Sequence, residues 1–168
     1  MQSPLGEILL TSNGEAVTGL YTNEHKDYSK VQTGEESTLP FQSVIKQLNE
    51  YFDGKRQVFD LPLAAEGSEF QKRVWKALLE IPFGESKTYG QIAKQLGDSN
   101  ASRAVGLANG KNPISIIVPC HRVVGASGEL TGYAGGLKAK EWLLKHEAKF
   151  SNKESTLQLQ MNDLLLNL

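Results

Sequence analysis

The chain has 168 residues, 39% hydrophobic and 22% charged, enough for one medium domain or two small ones with a buried core. No apolar run approaches the length of a membrane span, and Met1-Gln2-Ser3-Pro4 does not begin a signal peptide. The expectation is therefore a protein with no membrane partner, cytoplasmic or, in a eukaryote, nuclear. The net charge of −1 is unevenly divided: residues 1–66 hold 5 Lys+Arg against 10 Asp+Glu, residues 67–150 hold 12 against 7, and residues 151–168 hold 1 against 2. A basic segment beside an acidic one points to a polyanionic partner for the former, with ordinary surface variation as the alternative.

In chain order, two apolar runs at 6–12 and 16–21 flank Asn13-Gly14, the signature of a β-hairpin. Residues 23–39 are polar and read as loop, with His25 inside them. Phe41, Val44, Ile45, Leu48, Tyr51 and Phe52 recur at helical spacing before Gly54. Residues 58–63 predict another strand. This first unit is a small α/β scaffold, residues 1–66, with no chemical constellation of its own.

Residues 64–67 read as a linker. Ser68 with Gln71, and Thr88 with Gln91, each form the pattern of a capping box, starting helices that end near Pro82 and at Gly97. A polar turn, Asp98-Ser99-Asn100, leads into a second short helix from Ala101 to Asn109. Two short helices across a tight turn, the second slim and bearing Arg103, have the pattern of a helix-turn-helix. Ser115-Ile116-Ile117-Val118 predicts a buried strand, and residues 125–136 form a glycine-rich loop. A last helix is expected over 137–147, with Trp142, Leu143 and Leu144 inward and His146 on its surface. The tail, 151–168, is leucine-rich and expected to dock on the rest of the chain.

The chain's single cysteine, Cys120, lies in Pro119-Cys120-His121-Arg122-Val123. With no partner for an intrachain disulfide and no cysteines for a structural zinc site, three readings remain: a buried inert thiol, a chance surface thiol, or a nucleophile. A nucleophilic cysteine needs a base and local positive charge, because the thiolate is the reactive form. His121 and Arg122 supply those residue types. Neighbours on a regular strand face opposite ways, so thiol and imidazole can cooperate only across a turn or through a water, and Pro119 fits a break there.

The pentapeptide, preceded by the helix pair and Asn112, resembles the signature of the O6-alkylguanine-DNA alkyltransferases, and the likeness extends from about Ser3 to Glu147. It implies a ribonuclease H-like α/β N-terminal domain, a mainly α C-terminal domain over 67–150 with a winged helix-turn-helix, and single-turnover transfer of an alkyl group from O6 of guanine to Cys120. O4-alkylthymine is a further expected substrate. By the same resemblance His121 relays a proton and Glu147 orients it. Asn112 ties the recognition helix to the active-site segment, and Tyr89 crowds the phosphate during base flipping and then meets the base. Arg103 takes the place of the extruded nucleotide, while Ala101, Ser102 and Gly106 keep the helix slim in the minor groove. Tyr133, Ala134, Val123 and Pro119 line the base pocket, with carbonyls near Cys120 and Val123 accepting from the exocyclic amine. Arg122 anchors the loop or joins the domains.

The resemblance further implies double-stranded DNA as partner, no cofactor, no structural metal and a monomer in solution. Two other classes fit parts of the sequence: a winged-helix regulator that senses oxidants or electrophiles through Cys120, and a cysteine hydrolase using Cys120 and His121.

Overall fold

The computed structural model describes the backbone of residues 1–166 and the side chains of residues 1–151. A three-stranded antiparallel sheet opens the chain: β1 (Gln2–Ser3), β2 (Gly6–Ser12) and β3 (Val17–Thr22) in that order, with Leu9 opposite Tyr21 and Leu10 opposite Leu20. The hairpin forms at Asn13-Gly14 because the Asn13 side-chain oxygen accepts from the amides of Glu15 and Ala16, and Gly14 takes a φ of +96°. Ile8, Val17 and Leu20 are buried beneath helix α1 (Gln42–Phe52), which presents Val44, Leu48 and Tyr51 to them. Gly54 ends that helix with a φ of +74°, where a Cβ would overlap the Phe150 ring.

The strand expected at 58–63 does not form; only an isolated parallel bridge joins Leu63 to Val17. Its backbone is satisfied otherwise. The Gln47 amide of α1 accepts from Asp60 N at 2.8 Å and donates to Asp60 O at 2.9 Å, replacing a strand partner with a side chain.

The C-terminal part is helical. Helices α2 (Glu69–Leu79) and α3 (Tyr89–Gln95) both start at complete capping boxes, Ser68 with Gln71 and Thr88 with Gln91. Helix α4 (Ser102–Gly110) follows a six-residue turn, and Trp75 on α2 donates from its indole to Ala108 O at 2.9 Å, locking α2 against it. A short parallel pair, β4 (Lys87–Thr88) with β5 (Val123–Val124), brings the start of α3 beside the segment that follows the cysteine. The two halves are stitched where Leu20 N donates to Pro113 O at 2.9 Å.

Residues 115–118 are not the predicted strand. They are buried as expected, but only Ser115 N reaches a strand, donating to Leu20 O of β3 at 3.3 Å; the next amides are used locally, Val118 N bonding Ile114 O and Ile117 N bonding Ser115 O across a γ-turn. That turn holds Ile116 at φ +73°, a conformation costing a β-branched residue roughly 1–3 kcal/mol. A second tight turn, Cys120 N to Val118 O, bends the chain at Pro119 into a 3₁₀ turn over Cys120–Arg122. The physical reason is spatial. A straight strand would carry the thiol and the imidazole to opposite faces, whereas the turns deliver both to the interior.

Helix α5 runs Leu137–Leu166, so the backbone of the expected tail continues the last helix to Leu166; whether the tail docks lies outside the described residues. Leu143 is fully buried and Trp142 partly so. His146 is not on the surface. It stacks on Trp142, with ring centroids 4.8 Å apart, and its Nε2 meets Tyr51 O at 2.7 Å, because α5 lies against α1.

Candidate active site

Cys120 is buried as the first residue of the 3₁₀ turn. Burial pushes its thiol pKa up, while the Asn112 side chain and the Lys140 charge pull it back. The resting group is a neutral thiol that needs a base.

His121 is entirely buried. Its Nε2 lies 2.8 Å from Glu147 Oε1, and Nδ1 has no hydrogen-bond partner among the described residues. Burial pushes Glu147 up, but His121 and Arg122 outweigh it and hold the carboxyl well below the usual carboxylate range. An ionised carboxylate only accepts, so Nε2 carries the proton and Nδ1 presents a lone pair. Burial lowers the His121 pKa against the opposing effect of Glu147, leaving a neutral imidazole able to receive a proton.

Glu147 on α5 collects donors from four residues in three segments of the chain. Oε1 accepts from His121, from Arg122 Nη2 at 2.9 Å and from the Tyr51 hydroxyl at 2.8 Å. Oε2 accepts from Arg122 Nε at 2.9 Å and from Gly84 N at 3.3 Å. Arg122 also donates to Ile81 O at 2.6 Å and lies over the Phe83 ring. It therefore anchors the cysteine turn to the end of α2 and to α5.

Asn112 joins α4 to the cysteine segment: its amide donates to Val118 O at 2.9 Å, and its oxygen accepts from Ile114 N at 3.0 Å. Among the described residues, buried polar atoms without a partner include Tyr133 Oη, Ser115 Oγ and Asn109 Oδ1 besides His121 Nδ1. Asn109 donates to Cys120 O at 3.3 Å, and burial together with Cys120 pushes Tyr133 well above its ordinary pKa. The thiol thus has polar neighbours with unused hydrogen-bonding capacity. Pro119 and Val123 are buried beside it, and Ala134 is half-buried with its carbonyl accepting from Lys26 N.

Val123 O already accepts one hydrogen bond. Lys140 on α5, also fully buried, donates to it at 2.5 Å and to Thr131 O at 2.8 Å, and burial lowers the Lys140 pKa. Tyr89, at the start of α3, donates to Thr131 O at 3.2 Å, with its ring beside Gly106 of α4. Arg103 is exposed on the first turn of α4 and makes no hydrogen bond or ion pair among the described residues; Ala101 and Ser102 flank it, half-buried. The structure therefore brings Cys120, His121, Glu147, Asn112 and Tyr133 together, with Tyr89 at the rim and Arg103 on the outer helix face.

Sequence reasoning missed Tyr51, Lys140, Asn109 and Gly84. Lys140 had a signal, since Lys140, Leu143 and Glu147 share one helix face, which places a cation on the buried stripe. Tyr51 had none, being indistinguishable from a core aromatic of α1. No group of three or more potential metal-ligating side chains occurs among the described residues, and none of their helices is long and apolar enough to cross a membrane.

Fold and site together define a two-domain protein with a buried cysteine, followed by a carboxylate-held imidazole, beside a short helix pair. Residues 1–65 match the family model described as 6-O-methylguanine DNA methyltransferase, ribonuclease-like domain, and residues 69–149 match that of its DNA binding domain. The chain belongs to the 6-O-methylguanine DNA methyltransferase family. It is 54% identical over 149 residues to the methylated-DNA–protein-cysteine methyltransferase of Methanosarcina acetivorans, covering 87% of this chain and 94% of that one. The relative of the same name from Mycolicibacterium paratuberculosis is 48% identical over 158 residues, covering 94% and 95%. Among solved structures, Mycobacterium tuberculosis O6-methylguanine methyltransferase aligns at a TM-score of 0.82 and 48% identity, covering 89% of this chain and 90% of that chain. A crystal structure of the M. tuberculosis protein in complex with DNA aligns at 0.81 and 48%, covering 89% and 91%.

Proposed function

We propose that this protein repairs DNA by direct reversal, transferring the alkyl group from O6 of guanine in duplex DNA to Cys120. The observation that carries the reading is the buried cysteine beside an imidazole whose Nε2 is held by Glu147 and whose Nδ1 is free, in a chain of this family. The Cys120 thiol gives up its proton towards His121 Nδ1, directly or through a water. The sulfur forms a bond to the alkyl carbon as the carbon–O6 bond breaks, and its electron pair stays on guanine, which takes up a proton. A thioether and an unmodified guanine result, and because nothing regenerates the thiol, each molecule acts once. O4-alkylthymine fits the same displacement.

A stacked base cannot offer its alkyl carbon in line with a buried thiol, so the nucleotide is flipped out at a cost of a few kcal/mol. We read α3 and α4 as a winged helix-turn-helix entering the minor groove. Residues 67–150 form the DNA-binding and catalytic domain, supported by residues 1–66. Arg103, exposed and without an ion-pair partner among the described residues, takes the vacated place in the duplex; Tyr89 guides the phosphate; Ala101, Ser102 and Gly106 admit the backbone. Tyr133, Ala134, Val123 and Pro119 hold the base. The net positive segment and the DNA-bound relative support this reading. The protein acts as a monomer.

Incubation with an O6-methylguanine duplex, followed by peptide mass spectrometry, tests the proposal. One methyl on Cys120 and a stop after one turnover are expected. An unmodified Cys120 peptide refutes it, and sequence-specific binding without transfer assigns the chain to the regulator class. Arg103→Ala should slow repair in duplex more than reaction with free O6-benzylguanine; equal losses remove its assignment.

A further inference from the structure

The N-terminal unit read as scaffold in the sequence places one atom in the catalytic cluster. The Tyr51 hydroxyl, on α1, donates at 2.8 Å to the same Glu147 oxygen that receives His121 Nε2. Tyr51 is fully buried and gripped by Phe52, Phe59, Phe83 and His146, with ring centroids 5.3–6.0 Å away. Its backbone oxygen is also pinned, by His146 on α5 at 2.7 Å. A side chain held this way has its rotamer fixed by packing, so the hydroxyl stays aimed at the carboxylate.

We propose that Tyr51 is a positioning residue that sets the basicity of His121 by sharing the Oε1 acceptor of Glu147, making the N-terminal domain part of the catalytic machinery. The proposal rests on the alkyl-transfer reading. Oε1 receives three donors, from His121, Arg122 and Tyr51, and an sp² oxygen has two in-plane lone pairs. The donors therefore compete. Each proton offered by Tyr51 or Arg122 draws charge from the bond that favours the imidazolium. Arg122 is a fixed cation, but Tyr51 is neutral and can be removed as one oxygen atom without a change in ring packing. Burial and the Glu147 charge raise the Tyr51 pKa, so it remains a donor throughout the working range.

The other charged or titratable groups around His121 are Arg122 and Cys120 on the same turn, Lys140 and Glu147 on α5, and Tyr133 on the glycine-rich loop. None but Glu147 makes a hydrogen bond to the imidazole among the described residues. Tyr51→Phe leaves all of them in place.

The test is the pH dependence of the single-turnover rate with free O6-benzylguanine, which needs no base flipping, for the native protein and Y51F. With the competing donor gone, His121 becomes more basic. The acid limb should then move to higher pH by roughly half to one unit, the scale of one neutral hydrogen bond. Ring ¹⁵N shifts of His121 against pH should move in the same direction and do not depend on activity. A merely structural Tyr51 would lower the melting temperature and leave both midpoints unchanged, which overturns the proposal. Failure of the native protein to alkylate Cys120 overturns the alkyl-transfer reading instead, and the ¹⁵N titration still decides whether Tyr51 tunes His121.

Discussion

Glu147→Gln removes the charge on which the buried cluster depends. The carboxylate faces both Arg122 donors, the His121 imidazole, the Tyr51 hydroxyl and the Gly84 amide, and its side chain is 1% exposed. A glutamine keeps the shape and one acceptor but turns an NH₂ towards groups that themselves donate. It also leaves the Arg122 guanidinium buried without a counter-charge. Breaking a buried pair from one side costs about 3–5 kcal/mol, a large share of the roughly 5–15 kcal/mol that holds a domain folded. At roughly 2–4 °C per kcal/mol for a chain of this size, the melting temperature should fall by about 6–20 °C. Urea unfolding with an unchanged m-value gives the free energy, and the single-turnover rate gives the chemistry, expected to drop by about 100-fold or more as the imidazole loses its orienting partner. Adding Arg122→Met to Glu147→Gln should recover part of the stability, because both charges are then gone. A loss below about 1 kcal/mol for the single variant, with the rate intact, would refute the reasoning.

Stability should decline on acidification from near pH 6.5. The folded His121 has a pKa below its ordinary 6.5, so the unfolded chain binds more protons and stability falls as pH drops through that value. Glu147, held below its ordinary 4.5, adds a second decline beneath that pH; chemical denaturation at several pH values measures both. Lys140→Met strips a donor from Val123 O and Thr131 O and a positive charge from near the thiol, so Cys120 should react more slowly with iodoacetamide at neutral pH. Thr88→Ala removes the cap of α3 and should cost about 1 kcal/mol by urea unfolding.

The hairpin at Asn13-Gly14 and both capping boxes were legible because each is a contact within a few residues of sequence. Cys120 and His121 were legible as a pair for a similar reason, as a unique thiol beside the only residue type that titrates near neutrality. The strand at 115–118 was misread because apolar β-branched residues report burial, not extension. The tight turns around Ile116 then spend the amides of Ile117 and Val118 that a ladder would have used, and Pro119 has none to offer. His146 was misread because its partner, Tyr51 O, lies 95 positions away.

The sequence by itself singled out Cys120 as the candidate nucleophile and determined the helix starts and the basic character of the C-terminal part, all of which rest on residue type and short-range spacing. Only the tertiary structure decided which groups surround that cysteine. Glu147 gathers Tyr51, Gly84, His121 and Arg122 from segments up to 96 residues apart. Such meetings depend on how helices pack, and a buried carboxylate is stable only where all of its donors arrive together.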